Sequence, residues 1–423
     1  MAPLVASLPG DTLPALRTLA YRLLLAEFDA PRGASPEAQG SPLLAARIDK
    51  LYEFGALDQA LALLETLDSR DTGLKLRWLE IALLLGDEAP VCERALAGSG
   101  PFPFEAAQIY CQARNGDWPG AEAAFDTATE DGTLTPPYDT LLARFLEVEG
   151  HVDSEPLGPI AGLPMQLSPL AWRVLEAIGE PVATHGLPVA FAHADLRGTV
   201  GWRAQIEAAE RLVRSGALAP NRLLGLYTER AAAASGGIWD RVRAVQRLDA
   251  ALTADDPDAI ATALLAAWVQ MASAELEMAL VTLFAEPLRD VPVSGPAAQV
   301  AQAVAYLSDS YEERALEEAD EGPRAQLLAA IARGLAPEPD ESRDPTEAAV
   351  AEAFAEDPEL PAAAQERLAE GRRGEEVLRV LGRIGSGSDP RMLGEGLVLL
   401  RHLGFEDIAR RTALQALLLE RRG

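Results

Sequence analysis

Three glycines at a near-constant interval constrain this chain more than any other feature: Gly55, Gly86 and Gly116 stand 31 and 30 residues apart. Each lies between two stretches of helical periodicity, in segments running Leu44 to Leu67, Leu76 to Leu96 and Glu105 to Ala128. Seven residues before each glycine stand Ile48, Leu79 and Ile109. Five after it stand Ala60, Val91 and Ala121, and nine after it Leu64, Ala95 and Phe125. In the third segment Trp118, Ala121, Phe125 and Ala128 step along one face of a helix. A helix–turn–helix unit repeated at such a period is the mark of a stacked array. The glycine tolerates the left-handed backbone that ends a helix, the alanine lets two helices approach, and the larger residue fills the space between units.

Composition supports helices throughout. The chain is 48% hydrophobic but only 5% aromatic, so its apolar content is mainly Ala and Leu, strong helix formers, while the residues that favour strands are scarce. The expected fold class is all-α. Length alone predicts two or three domains, but arrays grow by stacking units rather than by filling one sphere.

The segment Asn115-Gly116-Asp117-Trp118-Pro119-Gly120-Ala121-Glu122-Ala123-Ala124-Phe125 resembles the tetratricopeptide-like repeats. That resemblance covers roughly a quarter of the chain, lacks the usual Trp-Leu-Gly-Tyr start, and has a period shorter than the ~34 residues of that repeat. It implies a right-handed α-solenoid of stacked antiparallel helix pairs, here with Pro/Gly-rich breaks. The theme returns in Leu397 to Leu418, where Ala409 and Ala413 follow Gly404 at the same offsets, and less clearly phased in Ala363 to Ile384. The block Gly201 to Leu252, with Gly216-Ala217-Leu218-Ala219-Pro220-Asn221-Arg222-Leu223-Leu224-Gly225-Leu226-Tyr227-Thr228-Glu229-Arg230 and Ser235-Gly236-Gly237-Ile238-Trp239-Asp240-Arg241-Val242, is similar to a group of uncharacterised alphaproteobacterial proteins. Some of these bear a label relating them to antifreeze glycopeptides, which reflects Ala-rich composition and is not carried over. The resemblance implies a bacterial envelope setting and no activity.

Composition then divides the chain into five segments: N-terminal helical repeats over 1–150, a Pro/Gly-rich connector with a short helix, Leu170 to Ile178, over 151–200, a central helical block over 201–285, acidic helices and a loop over 286–350, and C-terminal repeats over 351–423. Trp202 to Ser215 is amphipathic and stopped by Gly216; Asn221 is expected to cap the next helix, and Asp240 to Thr253 and Pro257 to Met271 follow. Residues 286–296 form a second Pro-rich break.

The net charge is −28, which opposes binding to a nucleic-acid backbone or docking to an anionic membrane. Neither partner is expected. The most apolar stretch, Ala263 to Ala285, contains Gln270, Glu275 and Glu277 and reads as buried helices rather than a membrane span. Cys92 and Cys111 lack metal-ligand spacing; they are either a bridge formed in an oxidising compartment or a reduced, buried pair. The start Met1-Ala2-Pro3 lacks a signal peptide's features and is compatible with an engineered start after a removed signal.

Catalytic chemistry is hard to assemble. His193 and Asp195 stand two residues apart, a spacing that does not face them on a helix. His185 and His193 have no third ligand near in sequence, His151 and His402 stand alone, and Ser235-Gly236-Gly237 lacks the Lys of a phosphate loop. Acidic pairs such as Asp255-Asp256 and Glu317-Glu318 are merely adjacent. No catalytic residue, cofactor or metal is expected. The acidic stretches Glu312 to Glu321 and Pro337 to Pro345 read as solvated surface, or as a docking segment. Trp202, Arg222, Tyr227, Arg230, Trp239 and Arg241 flank the central turns and are the candidate partner-binding residues, of the types that dominate binding energy. The expected function is a non-catalytic interaction scaffold or adaptor in a bacterial envelope assembly, periplasmic rather than cytoplasmic, holding a protein or peptide. The alternatives are an envelope enzyme or its accessory subunit with a helical superstructure, and a structural homo-oligomer subunit.

Overall fold

Many of the described helices end where the backbone turns left-handed, and the same closure recurs along the chain. Gly55, Gly86, Gly116, Gly179, Gly216, Gly334, Gly371 and Gly404 all take positive φ. In each case the N–H of the following residue donates to the carbonyl five residues back: Ala56 to Leu51, Asp87 to Ala82, Asp117 to Gln112, Phe405 to Leu400. This is the Schellman closure, which supplies donors to carbonyls that the helix leaves open.

The computed structural model describes residues 1–27, 41–65, 72–98, 104–150, 167–317, 322–341, 343–385 and 389–419. Among these, every regular element is a helix, so the protein is all-α. No helix of the described residues is long and apolar enough to cross a membrane. The offsets around the repeat glycines carry the core. Ile48, Leu79, Ile109 and Leu397 are buried, as are Ala60, Ala121, Ala409 and Ala413. The second repeat slips by one residue, and Cys92 rather than Val91 takes the buried place.

The chain forms two compact units, one made of residues 1–50 and 209–423 and the other of residues 51–208. They group the chain by contact, whereas the five segments above follow local composition. In the unit over 51–208, helices mainly pack on their neighbours in sequence: Glu105–Arg114 on Trp118–Glu130, and Ala89–Ala97 on Glu105–Arg114. A disulfide joins Cys92 to Cys111 across the latter pair. Helix Pro169–Ala177 returns onto Thr72–Leu85. Leu170, Trp172, Leu175 and Phe191 are buried, so residues 169–196 build core rather than merely connect. Pro169 stands at the start of its helix and Ser168 caps it, which is how a Pro-rich segment still yields a packed helix.

In the unit over 1–50 and 209–423, helix Glu406–Leu418 is central. It contacts Pro14–Leu25, Pro296–Leu307, Pro323–Arg333, Pro345–Ala353 and Pro390–His402. The Gln415 side chain accepts the Ala15 N–H at 2.8 Å, tying the first helices to the last. The final helix is thus covered and is not an open edge. One expected cap is displaced: Ala219, not Asn221, stands at the N-cap of Pro220–Thr228 without a side-chain hydrogen bond, because Pro220 fits the first helical position, where no N–H is needed.

Gly116 has open space where a Cβ would project, so Gly116→Ala isolates the backbone cost of the left-handed turn. A loss of about 1–2 kcal/mol is expected, measured by urea denaturation with circular dichroism.

Candidate functional site

The amphipathic helix Trp202–Arg214 places Ile206 and Glu210 four residues apart on its inward stripe. A buried carboxylate needs partners, and the central block supplies two. Tyr227 Oη donates to Glu210 Oε1 at 2.7 Å. Arg241 donates through Nε to Glu210 Oε1 at 2.7 Å and through Nη2 to Oε2 at 2.5 Å. Tyr227 is 0% exposed. Burial and the Glu210 charge hold its phenol well above the ordinary range, so it stays neutral.

This geometry corrects two of the six partner-binding candidates. Tyr227 and Arg241 are spent inside the fold on Glu210, which sequence reasoning passed over. Its only signal was an acid at a core position of an apolar stripe. Trp202 is nearly buried and belongs to the other unit. Trp239 is half-buried. Arg222 and Arg230 are exposed, and Arg230 pairs with its neighbour Glu229 at 2.8 Å.

The acidic stretch is also engaged. Glu312 accepts from Arg410 at 2.7 Å, and Glu313 pairs with Arg289; residues 318–321 lie outside the described residues. The Pro337–Pro345 loop ends in a cap, with Asp344 accepting the N–H groups of Thr346 and Glu347.

His193 does not meet Asp195 as a base meets its orienter. Its Nε2–H donates to the Gly55 carbonyl at 2.6 Å, while Thr184 donates to Asp195. His185 and His402 are exposed, and His151 lies outside the described residues. A further buried network surrounds Glu88 in the unit over 51–208. Tyr110 Oη donates to Glu88 at 3.0 Å, Arg173 reaches it at 3.3 Å and also pairs with Glu176, and Arg197 donates to Glu176 at 2.6 Å. Burial would raise the Glu176 pKa, but its two arginines outweigh that and hold it below the usual range. Among the described residues no group of three His, Cys, Asp or Glu is placed to hold a metal.

What remains for contact is surface. Helices Ile238–Ala254 and Pro257–Ala272 enclose a shallow groove of about 530 Å³. Arg243 and Arg247 line it from the first helix, and Leu265, Ala266 and Val269 from the second. No protein-family model matches the chain, and neither does any curated protein or solved structure.

Two outcomes follow from the buried groups. Glu210→Gln leaves the Arg241 charge unpaired and is expected to lower stability by about 3 kcal/mol or more, against about 1.5 kcal/mol for Tyr227→Phe; urea denaturation of both variants checks the order. Burial pushes His193 below its ordinary value, against the opposing pull of Gly55 and Asp58. The unfolded chain therefore binds the proton more readily. The contribution of His193 is full above about pH 6.5 and is lost as pH falls below it. The drop in urea midpoint between about pH 7 and pH 5.5 should be smaller in His193→Gln than in the parent.

Proposed function

We propose that this protein is a non-catalytic interaction scaffold of α-solenoid type, presenting the outer surfaces of stacked helix pairs to a protein or peptide partner. The observation that carries the reading is the recurrent helix, left-handed glycine and second helix, at Gly55, Gly86 and Gly116 and again at Gly371 and Gly404. Packing between sequential helices supports it, since repeat arrays are held mainly by nearest-neighbour interfaces. The return of Pro169–Ala177 onto Thr72–Leu85 departs from a plain array. It reads as a brace across several pairs. The use of buried arginines and carboxylates on one another, at Glu210, Glu88 and Glu376, favours a structural role for these groups over a catalytic one.

The setting we propose is the periplasm of a bacterium. The Cys92–Cys111 disulfide supports it, because such bonds persist in oxidising compartments. A bridge spanning a separation of 19 residues contributes about 3 kcal/mol by restricting the unfolded chain, so a reducing compartment would forgo a useful constraint.

Gentle cross-linking in the native cell, followed by purification, fractionation and alkylation of thiols, tests both parts. A stoichiometric partner in the periplasmic fraction, with neither cysteine alkylated before reduction, is the expected result. Recovery of the protein alone would overturn the scaffold reading in favour of a self-assembling or enzymatic role. Two reactive thiols would overturn the proposed compartment.

A further inference from the structure

The most informative surface lies on helix Pro257–Ala272. One side of it, Ile260, Ala263, Leu264, Ala267 and Met271, is buried. Leu265, Ala266 and Val269 face the groove shared with Ile238–Ala254, and Val269 is 62% exposed. Thr262 and Gln270 line the groove at either end of these three, and an apolar stripe on a helix is ordinarily covered. Single exposed apolar residues are unremarkable, but a contiguous apolar floor with a polar rim marks a contact surface.

The rim gives the sign of what covers it. The whole chain holds 65 acidic and 37 basic residues, yet Arg243 and Arg247 line this groove against the single acid Asp240. Asp240 is engaged with Arg243 and with the Gly236 N–H. Arg247 is exposed and has no ion-pair partner among the described residues. Arg243 is spent on Asp240 and on the Ala234 carbonyl, so the lining carries the single net positive charge of Arg247, felt over the roughly 8 Å within which charges interact at physiological salt.

We propose that this groove docks an acidic amphipathic helix of a partner protein. Its apolar stripe lies on Leu265, Ala266 and Val269, and a carboxylate reaches Arg247. Two neighbouring helices forming a trough match the helix-in-groove mode of recognition, and a volume near 530 Å³ admits a few side chains rather than a domain. A second copy of this chain is the poorer occupant, because Glu312 and Glu313 of its helix Tyr311–Glu317 are already paired, with Arg410 and Arg289. The inference rests on the interaction reading above and assigns it a site.

The test uses the purified full chain and fluorescence anisotropy with a labelled synthetic peptide of Leu and Glu in helical register. Two controls replace every Glu by Lys or scramble the register. The Leu–Glu helix is expected to bind about tenfold more tightly than either control, with affinity falling as salt rises. Val269→Asp and Arg247→Glu, both at exposed positions, should each weaken binding about tenfold with unchanged circular dichroism. Equal binding of the Leu–Lys helix, or no loss in the two variants, overturns the proposal. So does a dimer, seen by light scattering, that Val269→Asp dissociates, which would give the groove to a second copy. If no peptide binds while in-cell cross-linking still recovers a stoichiometric partner, the groove is wrong and the scaffold reading stands. If no partner is recovered either, both fail.

Discussion

A fold made only of short helices must solve the end of each helix many times. Every α-helix leaves carbonyls at its C-terminus without donors from within, and burying them unpaired would cost more than a short helix gains. At many of its described helix ends this chain meets the constraint with one device. A residue takes left-handed φ, and the next N–H returns five residues to an open carbonyl, as from Ala56 to Leu51 and from Phe405 to Leu400. Because the closure also reverses the chain, it sets where the following helix begins. The spacing of these turns therefore decides which apolar positions face one another, and the core around Leu79 and Ile109 follows from it.

The second constraint is that Ala and Leu make close contacts but few distinctive ones. Alanine-rich faces can slide, and register needs something directional. Buried arginine–carboxylate pairs provide it. Glu210 is held by Arg241 and Tyr227 from two other helices, and Glu376, 0% exposed, is held by Arg367. Such pairs add little net stability when complete and cost much when broken. Their use here is best understood as fixing which helices meet. The planar guanidinium suits that task better than an ammonium, consistent with a chain whose lysines are only Lys50 and Lys75. Lys50 itself is buried and donates to the Leu8 carbonyl at 2.9 Å, a point-like contact rather than a fork.

Glycine turns and apolar spacing made the helices legible in sequence, because both signals are local. Gly371 and Gly404 fall where the C-terminal pairs reverse, and helices expected at Asp240 to Thr253 and Pro257 to Met271 run over Ile238–Ala254 and Pro257–Ala272. The turns at Asp255 and Glu275 carried no such signal, since a non-glycine residue takes the left-handed position there. The short helix expected at Leu170 to Ile178 runs over Pro169–Ala177, but its prolines and glycines made the segment look like a connector, and nothing local showed that Leu170, Trp172 and Leu175 are buried core. Tyr227 and Arg241 looked like anchors because aromatic and arginine residues near turns have the same composition whether they face a partner or the core. What decides between the two is Glu210, 17 residues before Tyr227, and no local pattern joins them.

That division between spent and unspent charge bears on function. The arginines at 173, 197, 241, 367, 410 and 411 are assigned to carboxylates within the fold. With a net charge of −28, the field of the chain as a whole is negative, which discourages indiscriminate association. Against such a background a small patch of the opposite sign is conspicuous to a partner even when its own charge is modest. Arg247 beside the uncovered apolar residues of Pro257–Ala272 is such a patch. On the proposal that the groove docks an acidic helix, selectivity would come from contrast: such a helix is repelled by the acidic excess elsewhere and accepted beside Arg247 and the exposed Val269.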